Sequence, residues 1–588
     1  MKGRFNAALA AAVLVVTIGS SAWMALPVAA AGRAAAPSRV PAPSRVSAEP
    51  LSPKLRSIPE LSGGRTAQNA AMPQLTSSVS CNTAWNAVAS PNVGGGRNVL
   101  NGMAAIAPND VWAVGFYAVV GSNLYQTLAE HWDGNTWTVV PTPNVGPGNN
   151  LLIAVTAIGP RDVWAVGFVR SGNSSTAAQM LTEHWNGNGW SVVPTPQAPA
   201  TSSTQLISVG SDAVGDVWAV GISINFPINT TTGPRGHAVA LRWMGTAWSS
   251  LPTAPLTAPV PGRRIDAMSL NGVKVLGPND AWAVGDGREY SGPASSPDMA
   301  FIEHWNGSSW SQVAAPFHPN GDFLSEVQGT ASDLWAVGGQ AASTTTDTVV
   351  VERWNGTSWS DVGSSIPPAP PDQSADLFAV AYISPTNVWA VGARSYQSPG
   401  TTAQLDDTLV EHWDGSSWYP VISDNPASNQ DLFTVAAISA NDVWAGGAMG
   451  AIGYEQTLTE NFCMAPTVTS VAPSSGNAGD SVVINGSGFI GAVDVEFGTA
   501  PASFHVDSDT KITATSPGHK AGMVDIRVTV QGTSATSSAD QFTYLSSRSG
   551  GAAEPGTHLH GGTLPPPPPI RVMTVRFGAT PRAAPIPI

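Results

Sequence analysis

The chain has 588 residues, of which only 11% are charged, and a formal net charge of −14. That length is too great for one hydrophobic core, so several domains are expected. The acidic balance, and Lys274 as the single lysine between residues 79 and 463, leave no basic stripe for a phosphate backbone and argue against a nucleic-acid partner.

At the N-terminus, Lys2 and Arg4 precede an apolar run over 7–18, and Ala29, Ala30 and Ala31 offer a small-residue cleavage site. Residues 1–31 therefore read as a secretory signal peptide. No charge falls between Arg4 and Arg33, so an uncleaved membrane anchor is the alternative. Residues 32–78 are rich in Pro, Ser and Ala without periodicity and read as a disordered spacer.

From residue 79 to 463 one pattern recurs. Its first half, Asp110-Val-Trp-Ala-Val-Gly115, returns with the tryptophan at positions 112, 164, 218, 282, 335, 389 and 444, at spacings of 52, 54, 64, 53, 54 and 55 residues. Such a period marks a repeat architecture. Each copy reads as four short strands, for example 151–158, 162–167, 181–185 and 190–193, bounded by Gly, Pro, Asn and Asp. Asp-Gly or Asn-Gly joins the third strand to the fourth at Asp133, Asn186, Asn306, Asn355 and Asp414, and tryptophans flank this turn. Twenty of the 21 tryptophans hold such repeat positions. The fold class expected is all-β, a seven-bladed β-propeller of four-stranded blades.

The ends of the repeat region complete one another. The last copy stops at Phe462-Cys463 where a fourth strand is due, and Cys81-Asn-Thr-Ala-Trp85 is a fourth strand with no third before it. The only two cysteines thus meet at the hairpin whose covalent turn is missing, and a Cys81–Cys463 disulfide is expected. Closing so long a loop contributes roughly 5 kcal/mol on the chain-entropy model.

A strand ending in glycine (Val111–Gly115; Leu334–Gly339), then a third strand, then a Trp opening the fourth resembles the kelch repeat of galactose-oxidase-type propellers. Residues 466–544 contain Pro466-Thr-Val-Thr-Ser-Val-Ala-Pro-Ser-Ser-Gly476, Gly479–Phe489, Val495-Glu-Phe-Gly498 and Phe542-Thr-Tyr544. This stretch resembles the IPT/TIG domain, an immunoglobulin-like sandwich that serves as an interaction or spacer module. The Gly- and Pro-rich residues 545–588 read as a disordered tail.

Glu-His pairs stand in four third strands, at 130/131, 183/184, 303/304 and 411/412. Recurrence in copy after copy points to bonding between blades rather than to one catalytic site. The repeated Asp at 110, 162, 216, 280, 333 and 442 reads as a turn residue. A binding site must break the repeat, and the residues after each second-strand glycine do so. Tyr117, Arg170, Arg288, Tyr290, Arg394 and Tyr396 could stack on and hydrogen-bond a sugar or peptide.

The resemblance to galactose-oxidase relatives implies a copper site with a cysteine-crosslinked tyrosine, but both cysteines are committed to the seam. No serine-nucleophile elbow, zinc helix motif or phosphate loop is present, and no cofactor or metal is expected. The sequence thus reads as a secreted, monomeric, non-catalytic protein that binds an extracellular glycan or protein on the face bearing the variable second-to-third and fourth-to-first loops. A secreted carbohydrate-active enzyme is the alternative, and membrane contact follows only if the leader is retained.

Overall fold

The computed structural model describes Cys81 and residues 84–546, apart from 123, 172–176, 200, 226–234, 255–264, 289–297, 342–346, 364–372, 398–403, 428 and 452. The expected signal peptide and spacer, and nearly all of the tail, lie outside these residues. Among the described residues no helix is long and apolar enough to cross a membrane.

Seven four-stranded antiparallel sheets form between Trp85 and Cys463. Sheet one is Asn98–Ala107, Asp110–Ala118, Tyr125–Trp132 and Trp137–Val139, hydrogen-bonded in chain order, and five further sheets repeat that order. Sheet seven takes Gln430–Ser439, Asp442–Met449 and Gln456–Cys463 from the C-terminal end and Trp85–Val88 from the N-terminal end. Trp85 faces Phe462 in that pairing. Beside it, Cys81 and Cys463 form the expected disulfide, with Cα atoms 4.5 Å apart.

First strands neighbour first strands from sheet to sheet, and that of sheet seven neighbours that of sheet one. A four-stranded sheet that is apolar on both faces cannot bury itself, so the cores are shared. Trp112 and Val114 of sheet one pack with Leu152, Val163 and Leu181 of sheet two, and Trp444 of sheet seven packs with Leu100, Val111 and Trp132 of sheet one.

The tryptophans organise these shared cores. Each second-strand Trp is at most 4% exposed and meets two rings of the following sheet. Trp112 lies 4.9 Å from Trp185 and 5.3 Å from Trp190, Trp218 5.1 Å from Trp305 and 5.3 Å from Trp310, and Trp335 5.0 Å from Trp413 and 5.4 Å from Trp418. Trp444 meets Trp132 and Trp137 at 4.9 and 5.4 Å. Trp389 meets Phe462 and Trp85 at 4.6 and 5.4 Å, so the N-terminal strand supplies the ring that sheet seven would otherwise lack. The third ring of each triad stands near edge-on to the first, the geometry that aromatic quadrupoles favour.

One local reading holds and another changes. First, the Asp-Gly and Asn-Gly pairs lie in the hairpin between the third and fourth strands, where Trp132 pairs with Trp137 across a four-residue loop. Gly134 supplies a positive φ of 95°, while Asp133 accepts the N–H groups of Asn135 and Thr136, each at 2.8 Å. Second, the glycine of the repeat does not end its strand. The first strand carries a bulge between Leu100 and Gly102, which brings the Val99 carbonyl against the spot where a Cβ on Gly115 would stand. The same holds at Gly167, Gly221, Gly285, Gly338, Gly392 and Gly447. The strand needs glycine opposite the bulge and then runs on, to Ala118 in sheet one and Gln397 in sheet six.

Beyond Cys463, strands of four and five form two sheets closed over Val482, Ile484, Phe497, Ile512, Ile526 and Phe542. Gln531 of this sandwich donates to Asp442 of sheet seven at 3.0 Å.

Removing one ring should expose how far each junction depends on its triad. Trp112→Ala is expected to cost about 3–5 kcal/mol in urea unfolding, and Trp444→Ala the same, because both rings hold two of the next sheet. A loss below about 1 kcal/mol at either position would show that the triads are not what joins the sheets.

Candidate functional site

The Glu-His pairs resolve into two structural devices. His131 Nε2 lies 2.9 Å from Asp110, His184 2.8 Å from Asp162 and His304 2.9 Å from Asp280. Arg242 and Arg353 reach Asp216 and Asp333 at 2.8 and 2.6 Å, Asn461 reaches Asp442 at 2.9 Å, and His412 lies 2.9 Å from Asn387. Thus all seven sheets clasp the third strand to the start of the second. The expected turn aspartates are one jaw of that clasp. The other jaw covers the central Trp: His184 stacks on Trp164 at 4.3 Å, and the Arg353 guanidinium lies 4.7 Å over Trp335.

The neighbouring glutamates point the other way and are fully buried. Bonding between sheets, as expected, is seen where Glu303 accepts the Ala254 N–H at 3.3 Å and Glu460 accepts the Ser423 hydroxyl at 2.6 Å. Burial pushes these carboxyls up, to about 8 for Glu183 and Glu460 and about 7 for Glu303.

Five of the six residues expected to bind ligand are described, and these lie on the strand extensions beside residues of their own sheets. Tyr117 donates to Gln126, Arg288 pairs with Asp298, and Tyr396 donates to Asp407 at 3.4 Å. Arg170 is 7% exposed, lies 5.5 Å over Phe168, and burial pulls its guanidinium down to about 10. Arg394 faces Asp407 across the sheet. These positions belong to sheets one, two, four and six. Tyr290 lies outside the described residues.

What breaks the repetition instead gathers in sheets four and five. The first strands enclose a cavity of about 320 Å³ lined mostly by small residues such as Gly102, Ala154 and Ser208. Lys274 of sheet four and Glu326 and Gln328 of sheet five intrude on it. Desolvation lowers the Lys274 ammonium while Glu326 opposes that shift. Toward the variable-loop end, the bulge residues Ile153, Ile207, Phe378 and Phe433 join one buried apolar cluster. Sheets one and four contribute Asn101 and Asn271 there, which donate to the Leu152 and Leu324 carbonyls of the following sheets, each at 2.9 Å, and Asn271 also donates to Asp286 at 2.9 Å.

Between sheets four and five, His318 lies 2.7 Å from Asp322 and 3.3 Å from Asp361. The preceding residue, Phe317, is 64% exposed, and Tyr454, between the second and third strands of sheet seven, is 53% exposed. Sequence reading missed both aromatics. The signal available was their position in the two variable loop classes rather than after the strand glycine.

Residues 466–544 match the model of the IPT/TIG domain over the stretch that resembles it. These residues are an IPT/TIG domain. No curated protein sequence matches the chain. Similar solved structures include YCF48 from Cyanidioschyzon merolae, at 15% identity and a TM-score of 0.37, covering 65% of this chain and 98% of that one. Trypanosoma rangeli sialidase aligns at 10% identity and 0.35, covering 63% and 67%. The fucose-specific lectin from Aleuria aurantia aligns at 12% and 0.32, covering 56% and 96%. At such scores the propeller-like description rests on the sheets themselves.

The buried glutamates give a pH dependence of definite sign. Between about 4.5 and 8 the unfolded chain ionises Glu183 while the folded chain keeps it protonated, so stability falls as pH rises through that window. Glu183→Gln should therefore gain at least about 1 kcal/mol at pH 8 relative to its effect at pH 4.5, measured by urea unfolding. A relative loss at pH 8 would mean that Glu183 is ionised and paired.

Proposed function

We propose that this chain is a secreted, kelch-like, seven-bladed propeller closed by the Cys81–Cys463 disulfide, which binds a glycan or protein on its variable-loop face without transforming it. The IPT/TIG domain serves as its spacer. The observation that carries the reading is the pairing of exposed aromatics on variable loops, Phe317 and Tyr454, with polar strand ends such as Arg288–Asp298 and Tyr396–Asp407. Sugar rings and peptide side chains are held by such a combination of apolar face and fixed hydrogen-bonding groups. Support also comes from the clasps, which occupy the histidines that a catalytic reading would need.

Two measurements bear on this. The full chain screened against a polysaccharide and glycan panel is expected to bind without releasing product, and Phe317→Ala or Tyr396→Ala to weaken binding about tenfold, near 1.4 kcal/mol each. Product release would favour a carbohydrate-active enzyme, and unchanged affinity in both variants would remove the variable face as the site. For closure, Cys81→Ser with Cys463→Ser is expected to lower unfolding stability by roughly 2–5 kcal/mol. Equal stability with and without the bond would deny it a closing role.

A further inference from the structure

The loop from sheet four to sheet five brings His318 and Asp322 onto the third strand of sheet five. One ligand atom from each of His318, Asp322 and Glu352 lies within 4.8 Å of the others. Glu352 is fully buried, and neither of its carboxylate oxygens has a hydrogen-bond partner. Its cross-strand neighbour is Asp361, which lies 3.3 Å from His318 Nε2 and is 46% exposed at its side chain. From this geometry we propose that His318, Asp322 and Glu352 form a site for one divalent cation of the zinc or manganese class, with Asp361 on the ring nitrogen of His318 that faces away from Asp322.

Three features support the site. Other sheets satisfy the equivalent places without charge: Asn98 and Asn150 accept the loop N–H groups of Val93 and Val145, each at 2.8 Å. At the start of sheet five stands Asp322 instead, with one oxygen on the Ala300 N–H at 2.9 Å and the other facing the imidazole. Glu303 and Glu460 take a hydrogen bond from the preceding loop and the buried oxygens of Glu130 and Glu183 take none, whereas the group that reaches Glu352 from that loop is a metal-ligating ring. Third, the carboxyl groups of Asp322, Glu352 and Asp361 gather around one imidazole, and among the described side chains of this group no cation other than that ring faces them. A divalent ion removes that deficit, and mixed imidazole and carboxylate donors suit zinc or manganese. While one ring nitrogen ligates, the other keeps its carboxylate, the usual way in which such a ring is oriented. The ion would tie the loop to sheet five and so brace the junction beside Phe317.

The test is metal content. The full chain, stripped with chelator and dialysed against Zn²⁺ or Mn²⁺ at pH 7.5, is desalted and its metal measured by mass spectrometry, with thermal unfolding followed in parallel. About one equivalent should be retained with a rise in Tm, and His318→Gln and Glu352→Gln should each weaken retention at least about tenfold. Should Glu352→Gln fail to fold, His318→Gln with the more exposed Asp361→Asn decides the matter. Substoichiometric metal in the unsubstituted chain, or retention undiminished in His318→Gln, would overturn the site and leave a proton-held cluster.

Discussion

Contact between a buried indole and two aromatic rings of the next sheet is the interaction on which the other features depend. No sheet can cover both of its apolar faces, and each exports the problem to its neighbour. The triad solves it with the largest side chains available, set edge to face. Because the rule runs from sheet to sheet in one direction, it terminates only if the last sheet finds the first. Trp444 on Trp132 and Trp137 does so. The seam follows: Trp389 needs two rings from sheet seven, the C-terminal part supplies Phe462, and Trp85 must come from the other end of the chain. A disulfide across 382 residues of sequence lies beside that strand, four residues before Trp85.

Polar residues serve the same junctions. The central indole needs a cover on its open face, and the strand carrying it needs an anchor at its start. One side chain does both when it has a donor to give to Asp and a flat surface to lay on Trp. Histidine and arginine qualify, which explains why sheets three and five carry arginine where sheets one, two, four and six carry histidine. Asn461 keeps the donor and gives up the cover.

Much of this was legible, because a sevenfold pattern averages out local noise. The strand count, the composite seam and the cysteine pairing all came from comparing copies with one another. The misreadings came from residues whose role depends on a partner strand. Gly115 looks like a strand end, but it answers a bulge in the strand beside it. The strand in fact carries Tyr117, Arg170, Arg288 and Arg394 beyond that glycine, each beside a residue of its own sheet. Asp110 looks like turn chemistry until His131 is placed beside it. The group at His318 was hidden for a further reason: Glu352 belongs to the repeated motif and was discounted with it. Only Asp322, standing where sheets one and two have asparagine, marked the departure.

Repetition also tells where a distinctive activity can reside. The side chains that recur from sheet to sheet are taken up by the junctions, as the clasps on Asp110, Asp162 and Asp280 show. The departures fall mainly in sheets four and five, as Lys274, Glu326 and Gln328 on the cavity and as His318 and Asp322 beside the recurring Glu352. The apolar cluster of bulge residues lies between that cavity and the variable loops. A ligand on the variable-loop face would therefore meet Phe317 and the strand ends without reaching Lys274. The cavity and the variable-loop face both draw on sheets four and five, so the junction of those sheets is where occupancy of one would bear on the other.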